Sequence, residues 1–137
     1  MDLQSAFNGI NWLSVLVASV SAFAIGSIWY SSLLVGKAWQ KELKLSDDDI
    51  KSANMPMIFG LAFVLEFIAA LVLDMFIGRE ATLWTGVAAG GLVGIAWVAT
   101  SIGTNYLFAR KSFRLFLIDA GYFVVFFIIM GAILGAW

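Results

Sequence analysis

Cysteine and histidine are both absent from the 137 residues, and proline occurs once. Without cysteine there is no disulfide framework, no thiolate nucleophile and no thiolate metal site. Without histidine the commonest general base and metal ligand is missing. Charge is also scarce: 12% of residues are Asp, Glu, Lys or Arg, where a soluble domain averages about 25%. Eight basic residues nearly balance nine acidic ones, so no nucleic-acid partner is implied. The apolar share is 62% and the mean hydropathy +0.96, more than a one-domain water-soluble fold can bury. A disordered chain, a basic-patch nucleic-acid binder and an ordinary cytosolic enzyme are therefore not expected. The lipid bilayer is the expected solvent and partner.

A spanning helix needs about 20 mostly apolar residues, because the hydrocarbon core is about 30 Å thick. Four stretches qualify: about Trp12–Leu34, Met57–Ile77, Leu83–Phe108 and Phe113–Trp137. They are continuously apolar and too long for barrel strands, which alternate with period two. The first is preceded by no Lys or Arg and exceeds a signal-peptide core, so it reads as a retained helix. The fold class expected is an all-α bundle of four transmembrane helices forming a single domain.

Basic residues in short loops set orientation. Lys37, Lys41, Lys44 and Lys51 lie between spans one and two, and Arg110, Lys111 and Arg114 between spans three and four. Only Arg79 lies on the other side. Both basic loops are expected in the cytoplasm and both termini outside, in the inner membrane of a cell. Trp12, Trp84 and Trp137 then fall at the outer interface, with Trp29, Tyr30, Trp39 and Tyr106 near the inner one.

Residues 35–56 form the one sizeable polar loop. Trp39 and Leu43, four apart among lysines, predict a short amphipathic helix on the inner surface. Ser46 followed by Asp47, Asp48 and Asp49 suits a helix start, where acids favour the dipole. An Asp triplet as a Mg²⁺ or Ca²⁺ site is the weaker reading, since no further oxygen ligands follow at suitable spacing. No metal and no cofactor are expected. Pro56 opens span two, where its missing N–H does no harm.

Small residues recur every fourth position. Gly86, Gly90 and Gly94 do so in span three, and Ser14, Ala18, Ala22 and Gly26 in span one. Gly131 and Gly135 follow in span four. Such ridges let helix backbones approach closely, within one chain or between subunits. A homo-oligomer is expected, because four helices at ordinary spacing leave no lumen.

Ionisable groups inside a span each need an explanation. Glu66 sits about ten residues into span two, roughly 15 Å deep, with no Lys or Arg at its level. A hydrogen-bonded structural carboxyl, a proton-relay group and an ion site are all open for it. Asp74, on the same face, is expected near the outer interface and solvated. Asp119 and Asn105 lie at equal depth, each seven residues from Ser112 in the connecting turn. Asp119 is expected either to pair with Arg114, Lys111, Asn105 or Tyr106, or to contact a ligand or ion. Tyr30, Tyr106 and Tyr122 complete the polar set at the inner half, with Ser31, Ser32, Thr100, Ser101 and Thr104 nearby. No catalytic residues are expected. There is no His partner for any Ser and no G-x-S-x-G, and the span-three glycines lack the Lys-Ser/Thr ending of a phosphate loop. Ile25-Gly26-Ser27 before Tyr30 and Ile102-Gly103-Thr104 before Tyr106 hint at a hairpin repeat, a match short enough to arise by chance.

Several runs are distinctive. They are Trp29 to Trp39, Asn54-Met55-Pro56, Ala99 to Phe108, Leu117 to Tyr122, and Met130 to Trp137. Together they resemble the small bacterial membrane-protein family known as domain of unknown function 1761, over essentially the whole chain. The resemblance implies four spans and a bacterial envelope location, and supplies no activity. Two departures stand out: Ser32 where that family often has Pro, and Asp119 and Phe123 where it often has Asn and His. If that polar position serves a site, this chain has altered it. The functional expectation is passage of a small solute, ion or proton through a homo-oligomer, with Glu66, Asn105 and Asp119 lining the route. The alternative is a non-transport membrane component: a packing subunit, a lipid-interacting factor or a partner-binding factor.

Overall fold

The computed structural model describes residues 2–137, and its regular elements are all helices. A short α1 (Leu3–Asn8) precedes span one, α2 (Trp12–Trp29). The first connection holds α3 (Gly36–Glu42) and α4 (Asp47–Ser52), and span two is α5 (Met55–Ile77). Span three is α6 (Leu83–Leu92), a π-helical segment (Val93–Ala99) and α7 (Thr100–Phe108). Span four is α8 (Phe113–Ala136). The four spans have mean hydropathies of 1.8, 2.4, 1.6 and 2.3, and each is long enough to cross a bilayer. This is a multi-span membrane protein.

The helix ends follow local chemistry. Asn11 accepts from the Leu13 and Ser14 N–H groups and starts α2. Ser46 and Asp49 form a reciprocal capping box on α4, so the Asp triplet serves a helix start. Asn54 caps α5, with Pro56 in its first turn. Span one stops at Trp29, short of Leu34. The chain there doubles back: the Val35 N–H reaches the Trp29 carbonyl at 3.2 Å and the Gly36 N–H the Ser31 carbonyl at 3.0 Å. A Cβ on Gly36 would lie 2.8 Å from the Ser31 carbonyl carbon. Leu33 and Leu34 carry the apolar run past the Ser31-Ser32 pair and hide such a turn, because they stay exposed on its outside. The small helix α1 had no apolar period to announce it. Asp2 caps its start, and Arg79 closes its end by donating to the Asn8 and Gly9 carbonyls at 3.0 and 3.2 Å.

Span four is the centre of the bundle and touches the other three. It carries Leu115, Ile118, Tyr122, Phe126, Phe127, Met130 and Leu134 into the core. Span three crosses it at glycine backbones. A Cβ on Gly90 would collide with the Phe127 carbonyl, and one on Gly131 with the Gly86 carbonyl. Gly94 packs on Val124, whose Cα would lie 3.0 Å from an added Cβ. On span one, Ser14, Ala18 and Ala22 are buried, and a Cβ on Gly26 would lie 2.9 Å from the Tyr122 hydroxyl. The small-residue ridges are therefore occupied within the chain, and the Gly86–Gly90–Gly94 face of span three is not free for a neighbour. Gly103, the counterpart of Gly26 in the weak repeat, likewise receives a ring from span four, Phe116.

Candidate functional site

The end of span one is bolted to span four. The Trp29 indole N–H donates to the Ile118 carbonyl at 3.0 Å, and Gly121 leaves room for the ring. This fixes Tyr30, whose hydroxyl donates to Asp119 Oδ1 at 2.7 Å. Tyr106 of span three donates to Oδ2 at 2.5 Å. Asp119 thus has a phenol donating to each oxygen. Arg114 and Lys111 are exposed and take no part. Asn105 is also exposed and stands outside the cluster, contrary to the expectation from depth. Adjacent helical residues point about 100° apart, so a helix that aims Tyr106 at span four turns Asn105 away. Ser31, Thr100, Ser101 and Thr104 bond back to carbonyls of their own turns.

Three residues along span four, Tyr122 is buried, with 6% of its surface exposed. Its hydroxyl lies 3.2 Å from the Ala22 carbonyl and 3.2 Å from Glu66 Oε1. A phenol has one hydrogen, so it can satisfy only one of these acceptors fully at a time. Glu66 Oε2 is buried and has no partner among the described residues. The Tyr30 and Tyr122 rings meet edge to face at 5.3 Å, which places the two acids on either side of an aromatic pair.

Glu66 and Tyr122 line a cavity of about 900 Å³ between spans one and two. Its walls include Phe23, Tyr30, Trp39, Phe59 and Leu65, with Lys37 and Asp49 contributed by the first connection. A single chain thus holds a cavity where four packed helices were expected to leave no space. The reason is the first connection. Trp39 packs edge-on to Tyr30 at 5.6 Å, and Glu42 accepts from the Ser112 hydroxyl at 2.5 Å. Both contacts fold α3 under the bundle as an added wall.

A second cavity of about 760 Å³ lies at the end of the bundle that carries both termini. It is polar, with Asp2, Ser5, Asn11, Asp74 and Arg79 on its walls, and it contains the sequence-predicted interfacial acid Asp74. Between the two cavities the helices are packed shut. Val15, Ala18, Ser19, Ala22, Ala70, Phe126 and Met130 there have 1% exposure or less. Among the described residues no three carboxylates converge as a metal site. The sequence singled out both acids by depth. It missed the pairing of Tyr122 with Glu66 and the aromatic walls, because partners on different helices leave no spacing signal.

A family model described as "Protein of unknown function (DUF1761)" matches residues 13–135. No curated protein and no solved structure matches the chain. The chain belongs to the DUF1761 family.

Proposed function

We propose that this member of the family is a carrier that takes a small solute, ion or proton into the cavity between spans one and two, where Glu66 meets it. One observation carries the reading: Glu66 has a buried oxygen without a partner, and the residue lines a cavity large enough for a small molecule. A structural carboxyl in hydrocarbon is expected to be fully bonded, as Asp119 is. Two cavities at opposite ends, separated by a packed plug, suit a carrier that rearranges better than a standing pore. Seven of the eight basic residues lie at the Glu66 cavity's end, so in our reading that cavity opens to the cytoplasm of a bacterial cell. The termini then lie outside. Because the cavity belongs to one chain, a homo-oligomer is not needed to form it. We assign no catalytic step to the chain.

The test is flux in proteoliposomes with the parent and Glu66→Gln. Gln keeps the shape but cannot bind and release a proton or hold a cation by charge. The carrier reading expects flux of protons, monovalent cations or small solutes in the parent and its loss in a folded Gln variant. Parent flux no greater than that of empty vesicles would refute it. So would flux that survives the substitution. The completely bonded Asp119 cluster favours the second reading, a non-transport component, at that half of the site. Under it both variants fold, and neither moves anything. Single cysteines at Lys44 and Glu80 test the orientation: Lys44 should be labelled only from the cytoplasmic side, Glu80 only from outside.

A further inference from the structure

We infer that the ligand of the Glu66 cavity is a lipophilic organic monocation. The inference deepens the carrier reading by naming its substrate class. Four features of the cavity select that class together.

The first is the unpartnered oxygen. Tyr122 divides one hydrogen between Ala22 and Glu66 Oε1, and Oε2 receives nothing. That oxygen is closed off from the cavity space as the side chain stands, so a cation meets it by drawing the Glu66 carboxyl round into the cavity, and a neutral apolar guest offers it no partner. The second is the shortage of cations in the protein itself. Among the described residues Lys37 is the one basic residue on the cavity wall, and its side chain is exposed. The other acid on the wall, Asp49, is already engaged by the Ser46 N–H and hydroxyl at 2.8 Å each. Both bonds fall on Oδ2 of an exposed side chain, whereas Glu66 is half-buried, with a shared Tyr122 hydroxyl as its donor among the described residues.

The third feature is the wall. Phe23, Tyr30, Trp39 and Phe59 present aromatic surface, and aromatic faces attract organic cations through the ring quadrupole. Phe23 and Phe59 sit edge to face at 5.6 Å and hold one another in place. The fourth feature is what the wall lacks. A bare Na⁺, Mg²⁺ or Ca²⁺ needs several converging oxygens to replace its water. The wall also carries Ser27, Tyr30, Ser32 and Gln40, but the Ser27 and Tyr30 hydroxyls are spent on the Phe23 carbonyl and on Asp119, and span two offers Leu65 and Ala62 beside Glu66 rather than a second oxygen ligand. A cation whose charge is spread under hydrocarbon has no tight water shell to replace. It needs one counter-charge and apolar contact, and this cavity supplies both. At about 900 Å³ it is at the upper end of the range for drug-sized ligands.

Tetraphenylphosphonium and tetraphenylborate have one shape and opposite charge, so together they isolate the sign of the site. The purified full-length chain in nanodiscs is titrated with each by equilibrium dialysis, and uptake by empty nanodiscs is subtracted. Saturable, roughly stoichiometric binding of the phosphonium and none of the borate is expected. Glu66→Gln should weaken phosphonium binding about tenfold or more, while Asp48→Asn, an exposed acid outside the walls, leaves it unchanged. Equal binding of the two ions by the parent would overturn the inference. So would undiminished binding by a Gln variant that melts as the parent does. If the Gln variant does not fold, the comparison of the two ions on the parent decides alone. Binding without flux would sink the carrier reading and leave this inference standing. Flux of some other solute without phosphonium binding would do the reverse.

Discussion

The crossing of spans three and four makes a sharp quantitative prediction at Gly90. An alanine there adds one methyl group where the neighbour is backbone: the Phe127 carbonyl carbon would lie 2.7 Å away and the Ile128 Cα 3.2 Å. Backbone cannot rotate aside as a side chain can, so the helices must separate. Overpacking typically costs about 1–3 kcal/mol, and the rigid obstacle puts this site at about 3. Replacing Gly by Ala within a helix returns about 1 kcal/mol of propensity. The net loss is about 2 kcal/mol, or about 8 °C in melting temperature for a chain of this length. Gly60 in span two is the matched control, since nothing lies within 4 Å of where its Cβ would stand. Gly60→Ala keeps the propensity gain without the clash and should melt at or slightly above the parent. The assay is thermal melting of the three proteins in one detergent, with crosslinking for oligomeric state. A Gly90→Ala protein as stable as Gly60→Ala would refute the close crossing. Lost oligomer with an unchanged melt would move the ridge to a subunit interface.

Asp119→Leu should cost about 2 kcal/mol or more, because the hydroxyls of Tyr30 and Tyr106 both lose their acceptor. Asp119→Asn, which keeps one acceptor oxygen, should lose less; equal melting temperatures for the two variants would contradict the two-phenol arrangement. In α4, hydrogen bonds from the Ser46 N–H and then its hydroxyl hold the Asp49 carboxyl below the ordinary Asp value. A depressed folded value means that the capping contribution is present above the unfolded Asp range and is lost as pH falls through the lowered folded one, below about pH 4. Amide exchange at Ile50 should therefore quicken in acid in the parent and lose that dependence in Asp49→Asn; a flat profile in the parent would refute the capping role.

Much of the fold was legible because bilayer thickness and backbone satisfaction leave few options. The long apolar runs, the capping Ser46 and Pro56 in the first turn of α5 are local signals, and they stand in the helices that those signals specify. The end of span one was not legible. Leu33 and Leu34 are as apolar as the helix before them, and the turn depends on Gly36 fitting beneath the Tyr30 and Ser31 carbonyls. The π-helical segment Val93–Ala99 holds Gly94 and no Pro, and a glycine in a ridge of glycines does not tell a π-turn from the α-helix around it. In the site, depth was readable from residue number, and so Glu66 and Asp119 stood out. Direction around the helix was not readable. Asn105 shares its depth with Asp119, yet Tyr106 is the residue that faces it.

What separates the two acids is the supply of donors. Asp119 has Tyr30 and Tyr106 to itself, delivered by two different spans and braced by the Trp29–Ile118 bond. Glu66 has half of one phenol, because the Ala22 carbonyl lies equally close to the Tyr122 hydroxyl. The shortage has a geometric origin. Tyr122 reaches Glu66 across Gly26, where a Cβ would lie 2.9 Å from its hydroxyl, and the neighbouring wall is Phe23, Phe59 and Leu65. No serine, threonine or asparagine stands among the cavity-lining residues of span two to supply a second donor. An acid with a full donor set is a fixture of the bundle. In the carrier reading proposed above, an acid with an incomplete set beside apolar walls finds its missing partner in something that enters from outside the chain.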